Sequence, residues 1–294
     1  MNYDDVYQTV QSSPHGSSGR GVSFWSKASK CGRLAILDQQ HAEERQATED
    51  LDALSVGVYY HALQEVGMRG QAAGEVWDQT DSQVEDKNWQ EALRLYRAYQ
   101  RDWGTPLGRW GADLISVEEK IPGTPAGEAL VKSLFGDVTT GRVDAVIRIN
   151  DPELTYQNTG ILVPGPGIYL LDHKSAKSRQ QNHEWEYRFG MQSILYQHVY
   201  NLEHEEPCQG MIFDILMKHK DITKGPQLSK SGEIRRESSY NAIMAVPEHD
   251  AERIIKALVQ AGKHNVDNDK AVPSHCFAGF SPCRHFTSGR CSRY

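Results

Sequence analysis

The sequence contains no apolar run long enough to cross a bilayer, for which a helix needs about 20 consecutive apolar residues, and it opens on no charged-then-apolar leader. A water-borne, cytoplasmic protein is therefore expected, with no membrane partner. Positive charge is not in excess: 32 Lys and Arg stand against 39 Asp and Glu, a net of −7. Bulk attraction to a polyanion is excluded, so contact with nucleic acid has to rest on a local basic surface. Cysteine is scarce, at five in 294 residues, and the count is odd. Without a secretion signal, that argues against a disulfide framework and leaves metal or cluster ligation as a use for the thiols. No internal repeat is present.

The length is enough for one large domain or two modest ones. Residues 1–20 are polar and rich in Ser and Gly, which reads as a flexible arm. Residues 21–110 read as a helical segment: Leu51, Leu54, Val58, Ala62 and Val66 recur near helical spacing, and Trp89, Ala92, Leu93, Leu95, Tyr96 and Tyr99 line a second amphipathic helix over 83–102. That spacing favours core packing for the aromatics over base stacking. Strands are expected at Leu114–Ile121, with Ile115, Val117 and Ile121 on one face, at Val138–Ile149, and at Ile168–Asp172 after the breaker Pro164-Gly165-Pro166-Gly167. A helix over Glu184–Tyr200, an apolar strand over Gly210–Met217 and a helix over Asp250–Gly262 follow. Residues 111–262 thus read as an α/β core with a mixed central sheet behind a helical segment, and 263–294 as a cysteine-bearing tail.

Candidate chemistry gathers at the strand ends. Asp144 stands among Val143, Ala145 and Val146, a costly place for a charge that is neither paired nor metal-bound. Asp172 and Lys174 alternate around His173 and so share one side of a strand. Two carboxylates and a lysine on neighbouring strands suit metal-dependent phosphodiester cleavage, in which the acids hold a cation and the lysine offsets charge on the phosphate. Gln192 and Tyr196 lie one helical turn apart, and His61 follows Gly57 by one turn, where a glycine lets a neighbouring backbone approach. The plainer alternatives are an outward-facing Asp, an exposed ion pair, an ordinary amphipathic helix and a structural histidine.

In order, Gly57-x-x-x-His61, Gly141-x-x-Asp144, Asp172-x-Lys174 and Gln192-x-x-x-Tyr196 resemble the RecB-type branch of the PD-(D/E)XK nucleases, over roughly residues 26–217. The resemblance implies a restriction-endonuclease-like core. His61, Asp144, Asp172 and the backbone carbonyl of His173 would ligate Mg²⁺ or Mn²⁺, Lys174 would be catalytic, and Gln192 and Tyr196 would contact DNA and order the site. A further acid on the preceding strand is implied, for which Glu119 is preferred over Glu118 by strand alternation. A helical arch would thread single-stranded DNA past Asp144 and Asp172.

Cys31 and the C-terminal Cys276, Cys283 and Cys291 resemble the iron–sulfur staple of such nucleases, found in helicase-nuclease subunits, CRISPR-adaptation nucleases and phage exonucleases. Four thiolates suit a 4Fe-4S cluster. The spacing of the last three is wider than the common C-x-x-C, so a Zn²⁺ site using His275 or His285 stays open. Cys208 is given no role.

Residues 218–236 hold six Lys and Arg against two acids. Lys218, Lys220, Arg235 and Arg236 there either track a phosphate backbone or decorate a solvated hairpin. The resemblance implies a DNA exonuclease acting on single strands or ends in recombination, repair or phage DNA processing, with a recombinase or single-strand-binding protein as partner and, for a phage gene, the host cytoplasm as its setting. The rivals are a structure-selective endonuclease of the same fold and a DNA-binding protein that keeps the fold without the chemistry.

Overall fold

Val, Ile and Leu at alternating positions build a five-stranded mixed sheet in the order β1 (Ala112–Ile121), β2 (Gly141–Ile149), β3 (Gly167–Ala176), β4 (Cys208–Met217) and β7 (Tyr240–Ala245). The computed structural model describes residues 2–12, 25–26, 28–29, 35–36, 51–74, 82–105, 107–136, 140–176, 183–217, 227–228, 234–235 and 240–267. Neighbouring strands are antiparallel except β3 and β4, which run parallel and are joined through helices. The chain is thus α/β. No described helix is long and apolar enough to cross a membrane.

Strand alternation sorts the core onto two faces of the sheet. On one face Ile168 and Leu170 of β3, with Met211, Phe213 and Ile215 of β4, pack against α4 (Pro125–Phe135), α7 (Met191–Glu203) and α8 (Ala251–Asp267). On the other, Ala145, Ile147, Tyr169, Leu171 and Ile212 meet Met68 of α2 (Leu51–Ala72) together with Leu107 and Trp110. A further apolar cluster joins α1 (Tyr3–Ser12), α2 and α3 (Lys87–Trp103) to Leu216. Trp89, Tyr96 and Tyr99 of α3 are fully buried there or beside it, so core packing accounts for them.

Several elements differ from the sequence expectation. Tyr3–Ser12 is a helix and not part of a flexible arm, because Tyr3, Val6 and Val10 form an apolar stripe buried against the neighbouring helices. The expected helix over 184–200 is two, α6 (His183–Arg188) and α7, broken at Gly190. A Cβ at Gly190 would lie 2.1 Å from the Glu186 carbonyl oxygen. In β1 the register slips between Leu114 and Ser116, which turns Ile115 out to solvent while Leu114 and Val117 pack inward. Besides α1, the helices α4 and α5 (Pro152–Thr159) and the strand β7 were not expected. Both helices nonetheless begin with a capping side chain followed by proline, Thr124-Pro125 and Asp151-Pro152. Arg235 lies in a two-residue strand, β6 (Ile234–Arg235), paired with β5 (Gln227–Leu228). Lys218, Lys220, Arg236, Cys31, Cys276, Cys283 and Cys291 lie outside the described residues.

Candidate active site

The site forms where two paired strands part. Pairing of β2 with β3 ends at Ala145 opposite Leu171. One residue beyond, the Asp144 carboxylate fills the fork and accepts the backbone N–H of His173 at 2.5 Å through Oδ2. The same oxygen lies 3.2 Å from His61 Nδ1 on α2. A carboxylate therefore takes over the donor that a continued strand ladder would have satisfied.

Asp172 and Lys174 project on the α7 side of β3 and form an ion pair between Oδ2 and Nζ. Gln192 Nε2 donates to Asp172 Oδ1 at 3.5 Å. Tyr196, one turn further along α7, is buried against the backbone of Gly141, where an added Cβ would lie 1.9 Å from its Oη. Gly141 is thus required at the start of β2 by the tyrosine that packs on it. Gly57 differs: a Cβ there would meet Ser175 Oγ at 3.7 Å, an ordinary contact, so helix approach does not demand the glycine.

Of the two acids on β1, Glu118 and not Glu119 lies beside Asp144. Alternation alone pointed to Glu119, but Val117 pairs with Ala145 and Glu119 with Val143, which sets Glu118 opposite Asp144. Glu118 adopts a left-handed backbone with φ of 53°, a strained conformation for a residue with a side chain. Its carboxylate is held by Arg142 at 3.3 Å. Glu119 instead faces His204 at 3.8 Å.

Charge is strongly organised here. Burial works against ionisation of Asp144, but the His61 charge and hydrogen bond, with His173 and Lys174, outweigh it and hold the carboxyl far below the usual range. Asp172 goes the other way: burial, with Asp144 adding to it, raises its pKa despite Lys174. Burial opposes the charge on Lys174, yet Asp172 and Asp144 keep the ammonium protonated well past its ordinary range. Burial likewise lowers, and Asp144 more than restores, the pKa of His61. Burial and the Asp172 charge push the Tyr196 phenol up to about 12. Glu118 is raised by burial, then by Asp144 and Glu65.

The donor set of carboxylates plus one imidazole suits a hard cation, Mg²⁺ by its oxygens and Mn²⁺ by the added nitrogen. Among the described residues, no three His, Cys, Asp or Glu side chains converge tightly enough to chelate an ion as they stand. Each carboxylate is engaged by a protein donor instead: Asp144 by His61 and the His173 N–H, Asp172 by Lys174 and Gln192.

Sequence reasoning missed Glu65, which lies one turn after His61 and is bonded to Arg69 at 2.9 Å. It also missed Tyr187, whose phenol is raised by burial and feels the Lys174 and Asp172 charges. Helical spacing from His61 could have found the first. No family model matches this chain, and no curated protein matches it.

Proposed function

We propose that the chain is a divalent-metal-dependent deoxyribonuclease with a PD-(D/E)XK core of the RecB type, acting as an exonuclease on single strands or DNA ends. The observation that carries the reading is the meeting of His61, Asp144, Asp172 and Lys174 at one strand fork, from α2, β2 and β3. A bound Mg²⁺ or Mn²⁺ supplies polarisation of the scissile phosphoryl group and a water of lowered pKa. Asp144, Asp172 and Glu118 would hold it, with His61.

The protein's own residues do the rest. Lys174 stays an ammonium beside the acids and offsets negative charge that grows on the phosphate. Gln192 steadies Asp172, and His61 with the His173 N–H steadies Asp144. Tyr196 closes the start of β2 from the α7 side. Lys218, Lys220, Arg235 and Arg236 would track the DNA backbone.

Cys31, Cys276, Cys283 and Cys291 would hold a 4Fe-4S cluster, with Zn²⁺ as the alternative occupant. Supporting this, Asn265 Nδ2 on α8 donates to the carbonyls of Ala28 at 3.0 Å and Ser29 at 3.3 Å. The residues just before Cys31 are thereby tied to the helix that precedes the other three cysteines.

The test uses end-labelled linear DNA and closed circular single-stranded DNA with Mg²⁺ or Mn²⁺. Wild-type protein is expected to shorten the linear strands and spare the circle. Lys174→Ala and Asp172→Ala are each expected to lose about 100-fold or more in rate, the scale of removing one charge-stabilising group. Variants as fast as wild type would refute the reading. A cut circle would make the activity endonucleolytic, and metal-independent binding without cleavage would leave only a DNA-binding fold.

A further inference from the structure

On the face of the sheet away from Lys174, β3 and β4 carry a buried polar group between two apolar clusters. His173 and Asp214 are register partners across the parallel pair. Both are buried, as is Arg109, each at 2% exposure or less. Asp214 accepts the Tyr99 hydroxyl at 3.1 Å and is ion-paired with Arg109 Nη1. The Arg109 guanidinium is itself clamped, 5.2 Å from the Trp103 ring centroid and 5.1 Å from that of Trp110. His173 Nδ1 stands 3.3 Å from Asp214 Oδ2, a close polar contact that falls outside hydrogen-bond geometry, and the His173 ring meets the His61 ring edge-on with centroids 6.5 Å apart.

Stability is a poor explanation for this arrangement. Two buried ions lose more hydration than their attraction commonly returns, and apolar residues of similar volume are often as stable or more so. What the pair supplies is direction. His173 separates Asp172 from Lys174, and its N–H is the donor to Asp144. Whatever fixes the His173 side chain on the far face fixes the plane of that peptide on the near one, because the residue has only two soft backbone torsions.

We infer that Arg109, Asp214 and Tyr99 are positioning residues for the strand fork: they anchor His173 from behind and so hold its N–H on the Asp144 carboxylate and the flanking Asp172 and Lys174 in place. This deepens the nuclease reading and rests on it for its catalytic consequence. The anchoring itself can be read without any substrate.

The experiment replaces the pair by apolar residues of similar volume, Arg109→Met with Asp214→Leu, and in a second, milder variant makes Tyr99→Phe. Amide hydrogen exchange is followed at His173, with Ile212 in the neighbouring core strand as internal reference. The His173 amide is expected to exchange at least about tenfold faster relative to Ile212 in the double variant, and several-fold faster in Tyr99→Phe, as one hydrogen bond is loosened without unfolding the sheet. An unchanged ratio in both overturns the inference, and should the double variant fail to fold, the Tyr99→Phe ratio decides it. On labelled DNA the double variant is expected to lose about 100-fold in kcat with KM held, as when catalytic groups are misplaced by an ångström or less. Full kcat in a folded double variant overturns the catalytic part. If wild-type protein does not cleave DNA, the nuclease reading fails, while the exchange ratio still decides the anchoring.

Discussion

Gly141 offers a sharp test of how the site is packed. A methyl group there would sit 1.9 Å from Tyr196 Oη, 2.5 Å from Cζ and 2.9 Å from Cε1, well inside contact distance. The ring cannot swing away cheaply, because Tyr196 is only 6% exposed and belongs to the core beneath α7. Gly141→Ala should therefore cost about 1 to 3 kcal/mol, the range for overpacking a filled core. Urea unfolding measures it as a lower midpoint at constant slope. Tyr196→Ala removes the obstacle, so adding Gly141→Ala in that background should cost less than about 0.5 kcal/mol, a coupling typical of residues in contact. Two results would refute the reasoning: a Gly141→Ala protein as stable as wild type, or an equal cost with and without the Tyr196 ring. Either would mean that the glycine serves the strand and not the tyrosine.

Other outcomes follow from the same geometry. Mg²⁺ or Mn²⁺ at about 100 times its Kd should stabilise the wild type by about 2.7 kcal/mol in thermal unfolding, and Asp172→Asn should abolish the increment; an equal shift in both would place the cation elsewhere. The raised His61 contributes stability that is complete below its unfolded pKa of about 6.5 and is lost as pH rises through its folded value. The depressed Asp144 contributes above its unfolded value of about 3.9 and loses that as pH falls. The stability gap between wild type and His61→Gln should thus be widest between those two limits, at about 1.5 to 3 kcal/mol for a hydrogen bond to a charged group, and should narrow in alkali; a gap that widens in alkali contradicts the pairing. Protein purified without oxygen should be brown, and Cys31→Ser and Cys283→Ser should each lose the colour and the bound iron together; a colourless protein with stoichiometric zinc favours the alternative metal.

Much of the sheet was legible because its strands are apolar runs bounded by glycine and proline. The candidate site was legible as a set of residues but not in its geometry. His61, Asp144, Asp172, Lys174, Gln192 and Tyr196 do come together, from α2, β2, β3 and α7. Which of Glu118 and Glu119 stands opposite Asp144 is set by the register of β1 on β2, which alternation within β1 alone does not carry. β3 runs four residues beyond its expected end at Asp172, since β4 continues alongside as a paired apolar partner through Met217. Asp214 carried a signal that went unused. It is a lone acid in the apolar run Met211–Met217, and such a residue must find a partner, here Arg109 from a segment that shows no periodicity at all.

The two hydrogen bonds from Asn265 join residues more than 230 positions apart. Ala28 is fully buried and Trp25 nearly so, and both lie against α8 at Gly262. During synthesis these early residues leave the ribosome long before the helix that shelters them exists. Contacts of such sequence separation are closed late and at a high cost in chain entropy. The Trp25 indole therefore stays uncovered until α8 has been made, and its burial marks the closing of this part of the core.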